Sequence, residues 1–228
     1  MQKTLDTKTR NLILILFLIG VFMGSLDTGI IGPVLPSIEQ SFQLTSRESS
    51  WIFTLFVIFF MIGSPVMAKF SDFYGRKKVF ILDVILFGIG SCLISSAFSI
   101  EAIFLGRIIQ GFGCGGIFPV AGAFVGDGFP LEERGRALGI LGSVFGISAI
   151  GGPLVGAALI PYGWNWCFTI NIPIAIFIIA FAWYLLPEME DDRKLKIDYL
   201  GIIILSLLAI FLAYGLNQID SSNFINSL

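Results

Sequence analysis

The chain has 228 residues, of which 56 % are hydrophobic and 13 % charged, and its mean hydropathy is +0.90. That composition excludes an ordinary soluble domain of this length and points to an integral membrane protein. The net charge of −2 is uninformative, because in a membrane protein the position of the charges carries the information, and nothing in the chain suggests a nucleic-acid surface.

Met1–Arg10 holds Lys3, Lys8 and Arg10 and leads into the apolar stretch Leu12–Pro36. The stretch is longer than a signal-peptide core and no clear small-residue cleavage site follows, so a retained first helix is expected. Further apolar stretches follow at Trp51–Phe70, Val79–Phe98, Ala102–Val125, Ala137–Ile160, Trp166–Leu186 and Tyr199–Leu216. Each is long enough to cross a hydrocarbon core of roughly 30 Å as a helix, and their near-continuous hydrophobicity is unlike the alternation of barrel strands.

The basic residues give the expected orientation. Lys3, Lys8, Arg10, Lys69, Arg76, Lys77, Lys78, Arg134, Arg136, Arg193, Lys194 and Lys196 fall at the amino terminus and in every second loop, whereas the opposite loops hold only Arg47. The expectation is a multi-pass protein of the plasma membrane with a cytoplasmic amino terminus and, after seven spans, an outer Leu228. The most charged stretch separates the sixth span from the seventh. The expected division is a six-span bundle at 1–187, a charged cytoplasmic linker at 188–198, and a seventh span with an outer tail at 199–228.

Two charges stand deep in apolar spans: Asp27 in the first and Arg107 in the fourth. An ionisable group in hydrocarbon is costly and marks a pathway, a proton relay or a partner. Counted along their helices, both fall at a similar depth in the outer third of the bilayer, where the first and fourth spans can bring them together. The bland alternative for Arg107 is snorkelling to the headgroups. The chain contains no histidine, so a proton carrier would most simply be a carboxylate, and Asp27 is the candidate. Asp83 lies near a basic loop, where a salt bridge or interfacial solvation is expected. Tyr162, Trp164 and Trp166 are expected to form an outer aromatic belt.

The loop Ala68-Lys-Phe-Ser-Asp-Phe-Tyr-Gly-Arg-Lys-Lys78 turns at Gly75 and sets Asp72 against three cations. Charge alone leaves open whether it is a positive-inside loop with incidental acidity or a specific ion-pair device. The fourth span carries Arg107-Ile-Ile-Gln-Gly111, with Gly111 and Gly115 at a spacing that lets helices approach closely. The fifth holds Gly139, Gly142, Gly146, Gly152-Pro153 and Gly156, which fits either a packed helix or a special interface. Cys92, Cys114 and Cys167 lack metal-ligand spacing and read as packing residues. Neither a metal nor a cofactor is expected. With no nucleophile–base set and no Walker-type loop, an enzyme is not expected either, and transport would be secondary rather than ATP-driven.

Taken together these motifs resemble the major facilitator superfamily. The Asp72 loop is similar to its signature Gly-x-Leu-Ala-Asp-Arg-x-Gly-Arg-Lys, with Asp72, Gly75, Arg76 and Lys77 matching, while Ala68 and Phe73 depart from it. The resemblance implies a cytoplasmic gate latch, with Asp127 at the inner end of the fourth span as a further partner. Arg107, Gln110 and Gly111 resemble the fourth-span pattern in which the arginine takes part in proton coupling. Gly139, Ser148, Gly152, Pro153 and Gly156 resemble the antiporter motif of the fifth span, with Ser148 in place of a glycine; this motif points to export. Leu26-Asp27-Thr-Gly-Ile-Ile-Gly-Pro-Val-Leu-Pro36 and Trp164-Asn-Trp-Cys-Phe-Thr-Ile-Asn-Ile-Pro173 resemble segments of the fourteen-span drug:proton antiporters. Gly29, Gly32 and Asn165 are the departures there.

The implied fold is an all-α integral membrane protein: the superfamily's amino-terminal six-helix bundle plus a seventh span. The implied partners are protons, the lipid bilayer and a small, amphipathic, drug-like substrate, which Gln110 and Asn171 would face. An uptake symporter would use the same charges. A non-transporting fragment or interaction partner is a third reading, because rocking requires two bundles. The expectation is that the carboxy-terminal half is missing, supplied by a longer chain, a separate gene or a second copy.

Overall fold

The computed structural model describes residues 6–188 and, beyond them, Leu200, Gly201, Ile204, Leu207, Leu208, Ile210, Phe211 and Gly215. The helices are α1 (Thr7–Phe42), α2 (Ser46–Tyr74), α3 (Arg76–Ser95), α4 (Ile100–Gly128), α5 (Leu131–Leu159), the short α6 (Trp166–Thr169) and α7 (Asn171–Leu185). With α6 and α7 taken as one span, six are long and apolar enough to cross a membrane. The linker expected at 188–198 lies outside the described residues except for Glu188. Of the seventh span, Leu200, Gly201, Ile204, Leu207, Leu208, Ile210, Phe211 and Gly215 are helical, and the rest of it lies outside as well.

The helices outrun the apolar stretches because polar capping lies beyond the apolar core. α2 begins at Ser46 rather than Trp51, where Thr45 and Glu48 form a reciprocal cap: the Glu48 N–H donates to the Thr45 hydroxyl at 3.3 Å, and the Thr45 N–H donates to the Glu48 carboxylate at 2.8 Å. Such a box satisfies the N–H groups that a helix start leaves unpaired. α1 runs through Pro33 and Pro36 to Phe42. Each proline removes one helical bond, a loss that packing against neighbouring helices offsets.

The closest helix pairs are α2 with α4, α3 with α4, and α1 with α5. Phe17 of α1 meets Phe80 of α3 and Phe124 of α4 edge-on, with ring centroids 4.8 and 5.2 Å apart. This clasp centres one apolar core towards the basic end of the bundle. A second core, with Ile30, Ile38, Ile94, Ile103 and Phe168, lies towards the other end. Trp164 belongs to it, being only 9 % exposed and edge-on to Phe42 and Phe168. The expectation of a belt position therefore fails for Trp164, while Tyr162 and Trp166 are exposed.

Candidate functional site

Where α3 crosses α4, glycine removes the side chains that would keep the backbones apart. A methyl group at Gly90 would lie 2.6 Å from the backbone nitrogen of Gln110 and from the carbonyl oxygen of Gly106. That closeness brings Ser91 of α3 against Gln110 of α4. α1 is held from its other side by α5: a methyl at Gly152 would lie 2.6 Å from the Gly29 Cα. Asp27, two residues before Gly29, is thereby fixed opposite Arg107.

The result is a buried polar network spanning four helices. Arg107 Nη1 donates to Asp27 Oδ2 at 2.6 Å and to Gln110 Oε1 at 2.9 Å. The other Asp27 oxygen accepts from Gln110 Nε2 and from Asn171 Nδ2, both at 2.9 Å. Ser91 accepts from Gln110 at 2.9 Å and donates to the Phe87 carbonyl at 3.0 Å. Asp27, Gln110, Ser91 and Asn171 are 0 % exposed and Arg107 is 1 % exposed. Arg107 Nε and Nη2 have no hydrogen-bond partner among the described residues; the guanidinium instead lies 4.8 Å from the Phe168 ring centre and 5.3 Å from that of Phe56, where the ring faces attract a cation.

Every partner of Asp27 among the described residues is a donor, and Arg107 supplies its counter-ion. Arg107 does not snorkel: it turns inward to Asp27. Gln110 and Asn171, expected to face a substrate, have their amides turned to Asp27 and Ser91 and are absent from the lining of the neighbouring cavity. Ser91 and the two phenylalanines escaped sequence reading. A serine in an apolar span carries no distinctive signal, and the chain has 23 phenylalanines.

That cavity, of about 600 Å³, opens between α1, α2, α4 and α5 beside the network. Its walls are apolar and aromatic, with Phe56, Phe60, Met61, Phe118 and Phe145, and its few polar groups include Ser25 and Thr28 of α1. Phe56 is shared, stacking over Arg107 and lining the cavity.

The residues expected to form a latch gather at the basic end. Gly75 turns the chain between α2 and α3 at φ 92°, a conformation that side chains disfavour. The turn lets Arg76 reach back to Asp72 at 2.5 Å and to Ser71 at 2.6 Å, and across to Asp127 of α4 at 3.1 Å. Lys77 stands apart, its ammonium 5.7 Å from the Trp183 ring centre. Arg10 pairs with Glu133 at 2.9 Å, joining α1 to α5. Of the fifth-span motif, Ser148, Gly152, Pro153 and Gly156 pack against Gly29, Ile30 and Pro33 of α1, whereas Gly139 faces open space. Asn165 donates to the Ser95 carbonyl at 2.8 Å, tying the start of α6 to the end of α3. Asp83 makes no salt bridge among the described residues and is fully buried, contrary to expectation; its position eight residues into α3 places it below the reach of the basic loop.

Residues 17–219 match the family model of the Major Facilitator Superfamily. The chain belongs to that superfamily. Among its relatives, it is 37 % identical over 225 residues to the uncharacterized MFS-type transporter YfiU of Bacillus subtilis (strain 168), covering 98 % of this chain and 43 % of that protein. It is 34 % identical over 200 residues to Multidrug resistance protein 3 of the same organism, covering 87 % of this chain and 39 % of the relative. The chain thus spans less than half the length of these curated relatives, corresponding to the amino-terminal half of longer proteins. The same fold is present in the crystal structure of the human organic anion transporter MFSD10, with a TM-score of 0.71 at 19 % identity over 90 % of this chain and 55 % of that one. Superfamily membership accounts for the six apolar helices as a multi-pass membrane bundle.

Proposed function

We propose that this chain is the proton-coupling half of a secondary transporter of the plasma membrane that exports amphipathic, drug-like compounds in exchange for protons. The observation that carries the reading is the Asp27–Arg107 network, buried against an apolar cavity with Phe56 common to both. Protonation of Asp27 removes the charge that holds Arg107, freeing α1 and α4 to shift relative to each other; deprotonation restores the pair. A proton taken from outside and given up towards the cytoplasm is thereby linked to movement of the cavity wall. The aromatic lining suits a bulky apolar substrate, and the relative named Multidrug resistance protein 3 supports that class. The packing of Ser148, Gly152, Pro153 and Gly156 beside Asp27 supports export.

On this reading the basic end is cytoplasmic, and Asp72, Arg76 and Asp127 hold it shut in the outward-facing state, with Gly75 forming the turn and Lys77 fixing the α3 terminus. Gln110 and Asn171 support the Asp27 carboxylate rather than touching substrate. The second bundle that rocking requires comes from a carboxy-terminal half or a second copy. In proteoliposomes with an imposed proton gradient, the transporter carrying this half should move a lipophilic fluorescent cation against its gradient, and Asp27→Asn should abolish that coupling. Coupling that survives Asp27→Asn unchanged would sink the proposal, and accumulation of the dye in the direction of proton flow would replace export by symport.

A further inference from the structure

Asp83 has a place in the bundle that the antiport reading does not use. It is 0 % exposed, and neither carboxyl oxygen has a hydrogen-bond partner among the described residues. Its side chain fills a hollow in α4 made by the absence of a side chain at Gly116, where an added methyl would overlap both carboxyl oxygens. One turn earlier a methyl at Gly113 would lie 2.5 Å from the backbone oxygen of Asp83, so the two helices touch along this seam. The hollow is shaped to a carboxyl group, and no cationic side chain among the described residues pairs with it.

The charged and titratable groups of the surrounding helices are engaged elsewhere. On α4, Arg107 is paired with Asp27 of α1, while the buried Cys114 thiol lies against Gly24 and within electrostatic reach of Asp83, to which a neutral thiol gives no counter-charge. Arg76 of α3 and Lys69 of α2 are both paired with Asp72. α6 adds the buried Cys167, and the buried residues of α7 are Asn171, Ala175, Ile178 and Ala182. An ionised Asp83 would have neither a donor nor a counter-ion among the described residues, which is the costly way to bury a carboxyl group; the neutral acid loses far less on leaving water.

We propose that Asp83 is a second proton-binding site of this chain, occupied by a proton in the present conformation and distinct from Asp27. Among the described residues the two acids differ in partners: Asp27 is met by donors only, Asp83 by none. The bound proton leaves for water when the α3–α4 seam opens. Pro119, three residues beyond Gly116, removes the N–H that would bond the Gly115 carbonyl, so α4 yields most easily beside the site. The basic end lies seven residues back along α3, about 10 Å away, and receives the proton. This site goes beyond the antiport reading and does not depend on it, since its surroundings call for a proton whatever is transported.

The test is infrared difference spectroscopy of the full chain in phosphatidylcholine vesicles at neutral pH, with carbon-13 aspartate labelling to identify aspartic acid bands. The carbonyl stretch of a protonated aspartic acid in apolar surroundings should be present, should persist in Asp27→Asn and should vanish in Asp83→Asn. Absence of the band from the unaltered chain, or its survival in Asp83→Asn, overturns the proposal. If Asp83→Asn fails to insert, Gly116→Ala decides: the added methyl must displace the carboxyl group, so an unshifted band also overturns it. Proton coupling measured separately with Asp27→Asn tests the antiport reading, so the two failures are distinguishable.

Discussion

At the scale of single residues, Arg107 carries the largest local stake. It neutralises Asp27, orients Gln110 and lies between two aromatic rings. Removing one member of a buried ion pair leaves the other charge stranded, at a cost of about 3–5 kcal/mol. Arg107→Ala should lower the unfolding midpoint in detergent accordingly, whereas Asp27→Asn with Arg107→Gln should recover much of the loss, because the stranded charge is then gone. Equal destabilisation of the single and double variants would contradict this account. Arg107→Lys should rescue little, since an ammonium lacks the planar fork that meets Asp27 and Gln110 while lying against Phe56 and Phe168.

At the scale of helices, glycine positions divide into those that set a contact and those that face space. A methyl at Gly63 would overlap the backbone of Phe112, and one at Gly111 would overlap the backbone of Phe56. These reciprocal contacts bring α2 against α4 and so fix Phe56 between Arg107 and the cavity. Gly111→Ala must force the helices apart, at about 1–3 kcal/mol for overpacking, and, on the proposed transport function, should also weaken substrate binding through Phe56. Gly139→Ala meets nothing within 4 Å and should be neutral or stabilising by up to about 1 kcal/mol through helix propensity. Parallel thermal unfolding of the two variants checks the ordering. Gly139 matches the fifth-span motif, yet its neighbours within this chain give it no packing role; Gly152 has one.

At the scale of the whole bundle, two clusters tie the helices at different depths. The Asp27 network joins α1, α3, α4 and α7 in the interior, and the Arg76 cluster joins the α2–α3 turn to α4 at the basic end. Arg76→Ala cuts the links to Ser71, Asp72 and Asp127 together. A cysteine placed at Gly126, in a chain otherwise free of cysteine, should then be alkylated several-fold faster by a water-soluble maleimide. An unchanged rate would mean that this cluster does not close the basic end. Of the six described spans α5 is the least covered, with 22 % of its apolar window buried, and Ile147, Ile150 and Leu154 stand exposed along it. That exposed face is open to the second bundle that our functional reading requires.

The membrane class and six of the spans were legible in the sequence, and so was the possibility that Asp27 meets Arg107. The reason is that apolar length and the cost of a charge in hydrocarbon are local quantities, read residue by residue. The cluster of Asp72, Arg76 and Asp127 was legible for a related reason, because matching motifs carry packed geometry in their spacing. Tertiary structure alone decided what each polar group faces. Gln110 and Asn171 turn to Asp27 rather than to the cavity, Ser91 completes their network, Trp164 lies in the core, and Asp83 lies sealed against Gly116. These outcomes depend on helix rotation and on which glycines meet across a crossing. Because a helix places a side chain on its face without saying what occupies the space opposite, only the packed bundle supplies that partner.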